Sequence, residues 1–94
     1  KDIFSLFLIN PKIIFIISPQ YAEISFKIAN DVKRGSTGIY SKGMFTQKEN
    51  LMLLCVGNRN EVGKIKNIVK EIDPTAFIII CNAREALGKG FNTV

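Results

Sequence analysis

The sequence predicts an α+β fold in which strands and helices follow the order β-α-β-β-α-β. Three observations predict it: short runs of β-branched and aromatic residues, two segments with apolar residues at helical spacing, and a glycine-containing connection between the middle strands. A chain of 94 residues is long enough for one domain with one core. Its hydrophobic content of 47% is high for such a small domain, so we expect apolar surface that a partner covers.

The first strand is the run "IIFII" at 13–17, whose lack of alternation indicates burial on both faces. The dipeptide Ser18-Pro19 then has the form of an N-cap followed by a proline in the first helical turn. Apolar residues at helical spacing extend helix one from about Pro19 to Lys33, and we expect Gly35 to end it.

Strand two covers residues 36–42, the connection residues 43–50, and strand three the apolar run "LMLLCVG" at 51–57. The short connection predicts antiparallel pairing. Its glycines stand beside lysine and threonine, which suits either a loop that holds a phosphate or a tight hairpin. In the hairpin interpretation Gly43 supplies a positive φ angle. The Walker spacing of phosphate-binding loops is absent, which favours the hairpin.

The second half of the chain repeats the helix–strand pattern. Asn58 and Glu61 have the spacing of a capping box, and apolar residues at helical spacing follow it as far as Pro74. Residues 76–81, "AFIIIC", form the last core strand. Asn82 is placed to cap a short helix over residues 83–87.

This order defines the fold class: ferredoxin-like βαββαβ, a four-stranded antiparallel sheet with helices on one face, plus a short C-terminal helix. The usual strand order, 4-1-3-2, places strand one at the centre, which agrees with its continuous apolar sequence. The strands are apolar on both faces, whereas the helices cover only one. We therefore expect the open face to pack against another subunit.

Composition narrows the classes of function. The chain has no histidine, the commonest general acid–base side chain and a common metal ligand, and no nucleophile–base pair is visible. We therefore expect no enzyme, no catalytic residue, no metal and no cofactor. The net charge is +5, but the lysines are scattered, and strand three lacks the aromatic residues on which RNA-binding domains of this topology stack bases. No nucleic-acid partner is expected.

The two cysteines, Cys55 and Cys81, lie in or at the end of apolar strands that flank strand one in the expected order. Buried free thiols are the favoured interpretation and are typical of a reducing cytoplasm. A disulfide is the alternative.

Five segments also match a known family. They are "KIIFIIS" (12–18), "RGSTGIYSKGMFT" (34–46), "LLCV" (53–56), "NRNEVGKIKNIVKEIDPTAFIII" (58–80) and "NAREALGKGF" (82–91). Together they resemble the C-terminal soluble domain of the YitT family of bacterial multi-pass membrane proteins, a domain of unknown function. Within the hairpin the family pattern is kept at Gly35, Thr37, Gly43 and Thr46 and changed at Ser36, Ser41, Phe45 and Gln47.

The resemblance implies a longer protein with N-terminal membrane helices and this domain on the cytoplasmic side of the bacterial plasma membrane. Residues 1–11 would connect the two parts, and residues 12–94 would form a single domain. The absence of an initial Met agrees with a piece of a longer chain. The domain is also similar to the PII (GlnB-like) signalling fold, whose members form trimers and use the loop between strands two and three to bind nucleotides. This similarity implies a homo-oligomer, a trimer by analogy.

Two hypotheses of function follow. The first is a non-enzymatic regulatory or ligand-sensing domain that binds a small anionic ligand, such as a nucleotide, between subunits near Lys42, Gly43, Thr46 and Arg84. The membrane domain of the same chain would be its partner. The alternative is a structural oligomerisation module with no ligand, in which Arg84 forms an ion pair and the hairpin is only a turn.

Overall fold

The computed structural model describes residues 11–83, which form four strands and two helices in the expected order. The elements are β1 (Lys12–Ile17), α1 (Tyr21–Lys27), a π-helical turn (Ile28–Val32), β2 (Thr37–Lys42), β3 (Glu49–Gly57), α2 (Arg59–Ile72) and β4 (Phe77–Asn82). The helix expected over residues 83–87 lies outside the described residues, apart from Ala83, which is not helical. Asn82 belongs to β4 and accepts a hydrogen bond from the Lys12 ammonium.

The strands form one antiparallel sheet in the order β2-β3-β1-β4. This is the ferredoxin-like order counted from the other edge, so the prediction of the fold class is confirmed. The central strand β1 pairs along its whole length with both neighbours, and Ile14 lies opposite Cys55 of β3 and Ile80 of β4. A run of isoleucines suits this position, because a strand with neighbours on both sides contacts side chains on both faces.

The first helix is shorter than predicted and ends in a wider turn. Its α-helical part stops at Lys27, and the chain continues as the π turn. The buried side chains of this segment, Ile24, Ile28 and Val32, are spaced by four residues. On an α-helix a repeat of four rotates by roughly 40° per step. A π turn compensates for this rotation. The side chains of Ile24, Ile28 and Val32 therefore all remain in contact with the core.

The end of this segment is also different from the prediction. Lys33, not Gly35, adopts the left-handed conformation, with φ of 64°, and its N–H donates to the Ile28 carbonyl at 3.1 Å. A residue with a Cβ is disfavoured there by roughly 1 kcal/mol or more.

We expect Lys33→Gly to raise the free energy of unfolding by about 0.5–1 kcal/mol, because glycine adopts this conformation without the Cβ clash. Urea denaturation measures the change. Lys33→Ala is the matched control, since it removes the same side chain but keeps the Cβ. An equal gain in both variants would show that the lysine charge, rather than the backbone conformation, is the cause.

The capping box at the start of α2 is confirmed. The Asn58 Oδ1 accepts the Glu61 N–H at 3.2 Å, and the Glu61 Oε1 accepts the Asn58 N–H at 2.9 Å. The same Glu61 oxygen accepts a hydrogen bond from the Arg34 Nε at 2.9 Å. This shared carboxylate links the segment that leads into β2 to the first turn of α2.

One face of the sheet and the two helices enclose the core. Its buried members come from every layer: Ile14, Ile16, Ile24, Ile28, Val32, Leu53, Cys55, Ile65, Ile68, Val69 and Ala76. Ile14 and Ile16 of the central strand have no exposed surface, so β1 supplies the centre of the core as well as the centre of the sheet.

The opposite face of the sheet is apolar too. We call it the open sheet face, and its apolar members are Ile13, Phe15, Ile17, Ile39, Met52, Leu54, Val56, Phe77, Ile79 and Cys81. The strand register aligns them in rows, for example Ile39–Met52–Ile17–Phe77. Most are half-buried, whereas Phe77, Ile79 and Cys81 are exposed. The remaining β2 positions on this face, Thr37 and Ser41, are uncharged.

Both cysteines are free, but only one is buried. Cys55 lies in the core, whereas Cys81 is exposed on the open sheet face, so the prediction of burial is wrong for Cys81. The reason is the alternation of side chains along β1, which has Ile14 opposite Cys55 and Ile13 opposite Cys81. The two thiols therefore point to opposite faces, on strands separated by β1.

Candidate functional site

An open cleft of about 730 Å³ lies between the start of α1 and the strands of the β2–β3 hairpin. Its walls combine aromatic rings, uncharged polar groups and one charge of each sign. The lining residues are Pro19, Tyr21, Tyr40, Ser41, Lys42, Glu49, Asn50 and Leu51. A volume of this size is within the usual range for small-molecule sites.

The β2–β3 hairpin forms one wall of the cleft, and its register determines which side chains line it. Tyr40 lies opposite Leu51 and Lys42 opposite Glu49, and these positions alternate with those of the open sheet face. Their side chains therefore point to the side of the sheet that carries the helices. There they face Tyr21, the first residue of α1, which is half-buried against the core.

The other wall is fixed by a buried hydroxyl at the end of β1. Ser18 is buried, donates a hydrogen bond to Asp73 and accepts the Gln20 N–H at 2.9 Å. This hydrogen bond from Ser18, followed by one from the Thr75 hydroxyl, lowers the pKa of the Asp73 carboxyl. The contacts hold the turn that contains Pro19 against the C-terminal end of α2.

The cleft contains one charged side chain of each sign, Lys42 and Glu49. The ion pairs within residues 11–83 are Lys27–Asp31 and Arg34–Glu61, so neither Lys42 nor Glu49 has a partner among them. Both side chains are exposed at neighbouring strand ends. The Lys42 ammonium attracts anions, whereas the Glu49 carboxylate repels them.

The uncharged groups add hydrogen bonding and ring surface. Ser41 and Asn50 also line the cleft, although they lie opposite each other at positions whose side chains point to the open sheet face. Tyr40 is 89% exposed, so one ring face is open to solvent beside the cleft. Aromatic rings of this kind stack on flat ligands.

Of the residues predicted to form the site, Lys42 lines the cleft. Gly43 and Thr46 lie in the adjoining hairpin loop, where the Thr46 hydroxyl accepts the Lys48 N–H at 3.2 Å. Arg84 lies outside the described residues. The structure thus brings together the hairpin members of the predicted site.

The expected role of Gly43 is wrong. The positive φ angle of the hairpin belongs to Gln47, at 61°. Gly43 lies against Thr46 instead: a Cβ at Gly43 would be 2.8 Å from the Thr46 hydroxyl oxygen. Because Thr46 is exposed, rotation of its side chain can relieve this contact.

Sequence reasoning missed the aromatic and amide members of the cleft. The helical spacing of the sequence predicts Tyr21 on the apolar side of helix one, and Asn50 falls in the connection expected over residues 43–50. The hairpin register is the signal that finds Tyr40: because Lys42 lies opposite Glu49, alternation brings Tyr40 and Leu51 to the same side of the sheet as these two residues.

The two thiols among the described residues differ in exposure. Cys55 is buried, and burial raises the pKa of its thiol. Its sulfur lies 3.2 Å from the Ser36 hydroxyl, inside the core. Cys81 is exposed on the open sheet face. Within residues 11–83 no group of three metal-ligating side chains lies close enough to hold an ion.

Comparison with known proteins places the chain in a family. Residues 34–88 match the family described as "Uncharacterized protein conserved in bacteria (DUF2179)". The chain is 40% identical over 80 residues to an uncharacterized protein of Bacillus sp. (strain PS3), covering 85% of this chain and 53% of that protein. It is 38% identical over 80 residues to the UPF0750 membrane protein YvjA of Bacillus subtilis, covering 85% of this chain and 28% of YvjA.

The membrane protein YitT of Bacillus subtilis is 34% identical over 73 residues, with 78% of this chain and 26% of YitT covered. The chain therefore spans about half the length of the first relative and less than a third of the other two. Within residues 11–83, none of the helices has the length and apolar character needed to span a bilayer.

Solved structures agree with the family. A DUF2179 protein from Eubacterium ventriosum superimposes with a TM-score of 0.69 at 25% identity, covering 78% of this chain and 100% of that one. A functionally unknown protein from Pediococcus pentosaceus shares the fold, with a TM-score of 0.64 at 14% identity over 80% of this chain and 93% of its own. The match of residues 34–88 and the named relatives lead to one conclusion: this chain belongs to the DUF2179 family, as a YitT-family domain of unknown function.

Proposed function

We propose that this domain is a non-enzymatic ligand-sensing module of a bacterial membrane protein. It binds a small ligand with a flat ring and an anionic group, such as a nucleotide, and binding biases the attached membrane part. The observation that carries the proposal is the cleft, whose lining includes Tyr40 and Lys42 on the same side of β2. Within residues 11–83 Lys42 has no ion-pair partner. Tyr21 and Tyr40 hold the ring, and Lys42 holds the anion.

The proposed site is completed by a neighbouring subunit. Arg84 of a second copy adds the second cation, and the hairpin loop with Gly43 and Thr46 closes the anion side. The domain follows residues 1–11, which connect it to membrane helices, and it faces the cytoplasm. The relatives named as membrane proteins support this arrangement, because the chain covers only a part of each of them.

A thermal-shift screen of the chain tests the proposal, with ATP, ADP, AMP, cyclic dinucleotides and amino acids as probes. A ligand at ~100 times its dissociation constant adds about 2.7 kcal/mol of stability, enough to raise the unfolding midpoint by several degrees. A panel without any shift would overturn the sensing function and leave the alternative.

Calorimetry then tests whether Lys42 and Glu49 belong to the site. It uses the probe that raises the unfolding midpoint most. Lys42→Met should weaken binding of an anionic ligand by about tenfold or more, the equivalent of a hydrogen bond to a charged group. Glu49→Gln should tighten it, because an opposing charge is removed. Lys48→Met is the matched control, since this lysine lies on the same hairpin but outside the cleft. Equal affinities in Lys42→Met and Lys48→Met would place the ligand elsewhere.

The alternative is an oligomerisation module without a ligand, and the open sheet face favours it. Among residues 11–83 this face has mostly apolar side chains, three uncharged polar ones (Thr37, Ser41 and Asn50) and no charged one, although the whole chain has a net charge of +5. Such a surface complements a second copy of itself. It has no basic side chain to bind lipid phosphates and no acidic side chain to bind a basic protein.

The size of the face agrees with a weak self-association. Four strands of about six residues cover roughly 20 Å by 19 Å, on the order of 400 Å² per copy. Two copies bury about 800 Å², which is less than the roughly 1,000 Å² of a specific stable interface. Tethering of the domains to associated membrane parts would raise their effective concentration and strengthen the contact.

A further inference from the structure

The loop between β2 and β3 carries two strongly exposed apolar side chains side by side. Phe45 is 99% exposed and Met44 is 77% exposed. We call residues 43–48 the hairpin tip. Single exposed apolar residues are common on protein surfaces. Two adjacent ones at the apex of a hairpin form a protruding apolar point, which has a different use from the flat open sheet face.

The backbone of the hairpin tip is hydrogen-bonded within itself. The Gly43 N–H donates to the Lys48 carbonyl at 2.9 Å, and the Gln47 N–H donates to the Gly43 carbonyl at 2.6 Å. The Lys48 N–H donates to the Thr46 hydroxyl at 3.2 Å, and the Gln47 side-chain amide donates to the Met44 carbonyl at 2.6 Å. These contacts pair six of the twelve backbone N–H and C=O groups of residues 43–48. Within residues 11–83 the N–H groups of Met44 and Phe45 have no such partner, so the tip suits the polar headgroup region and not the hydrocarbon interior.

Basic residues flank the apolar point on both strands. Lys42 precedes the tip and Lys48 closes it, and no acidic residue lies between them. Glu49, the first acidic residue beyond, begins β3 directly opposite Lys42, so Lys48 is the basic residue nearest the apex. An apolar apex with lysines behind it is the arrangement that attracts an anionic membrane surface and inserts into its interface.

We propose that the hairpin tip inserts Met44 and Phe45 into the headgroup region of an anionic lipid bilayer, with Lys48 on the lipid phosphates. The tip is far smaller than a specific protein interface, whereas interfacial insertion strengthens with each apolar side chain that is buried. The named relatives are membrane proteins, so a bilayer lies near a domain of this family.

Fluorescence tests the insertion directly, because the chain has no tryptophan. Phe45→Trp places a single reporter at the apex, and Phe26→Trp places one at a matched exposed phenylalanine of α1, which is 69% exposed. On addition of vesicles of equimolar phosphatidylcholine and phosphatidylglycerol, the emission of Phe45→Trp should shift to the blue. The emission of Phe26→Trp should keep its position.

Co-sedimentation with the same vesicles measures the affinity. The double variant M44S/F45S should bind about tenfold more weakly or worse, while F26S should bind like the native chain. K48Q should lose about fivefold at low salt, and pure phosphatidylcholine should bind less of the native chain. Unchanged unfolding midpoints of the variants show that their folds are intact.

Three results would overturn the proposal: vesicle binding that M44S/F45S leaves unchanged, an equal blue shift at positions 26 and 45, or no vesicle binding by the native chain. The first would assign membrane contact to another part of the chain. The last would leave a protein, such as the membrane part of the full-length chain, as the partner of the tip.

Discussion

Replacing Ile16 with alanine lowers the free energy of unfolding by about 2–5 kcal/mol, the usual cost of a buried isoleucine truncation. Ile16 has no exposed surface and lies between Leu53 of β3 and Ile78 of β4 in the centre of the sheet. The surrounding strands cannot close the cavity, because both neighbours are fixed by hydrogen bonds. The free energy of unfolding of a small domain is only about 5–15 kcal/mol, so the variant is close to unfolding. Urea denaturation followed by circular dichroism measures the loss.

Ile17→Ala is the matched control for Ile16→Ala. It makes the same truncation one residue further along β1, on the half-buried open sheet face. Its cost should be clearly smaller in dilute protein, because part of the side chain already contacts water. An equal cost at the lowest concentration would contradict the assignment of a single core, since it would require both sheet faces to be covered within one copy.

The second large effect concerns self-association through the open sheet face. Ile79→Lys places a charge on that face, and a two-fold contact would bury one such charge from each copy. An unpaired buried charge costs about 3–5 kcal/mol, so association should weaken by a hundredfold or more. Sedimentation velocity over a wide concentration range measures the association constant of the native chain and the variant.

Ile80→Lys provides a close control. Ile80 is 40% exposed and Ile79 is 39% exposed, and they are neighbours on β4 that point to opposite faces. Ile80→Lys should therefore leave association unchanged. A native chain that stays monomeric at every concentration would count against both the oligomerisation module and a ligand site between subunits.

The architecture was predictable because local signals agree with the tertiary arrangement. The uninterrupted apolar run of β1 indicated a central strand, and Asn58 with Glu61 marked the start of α2. Both signals depend on residues close in sequence, so neither needs knowledge of the partner strands.

Two features were not predictable from these signals. The spacing of Ile24, Ile28 and Val32 is compatible with an α-helix over one step, and only their common burial shows that the turn must widen. The cleft depends on register. Strand three is expected to begin at residue 51, but β3 begins at Glu49 and includes Asn50. The pairing of these added residues with β2 determines the face of the sheet on which Tyr40 lies.

The pairing of the first strand with the last also governs how the domain is made. Lys12 lies opposite Asn82, so the sheet is completed by contacts between the two ends of the described chain. Closing a connection of that length is slow compared with local helix formation. During synthesis β1 therefore remains with an unpaired apolar edge until residue 82 has left the ribosome. Incomplete chains that end within α2 lack β4. Their β1 edge stays exposed, and such chains are prone to aggregate through it.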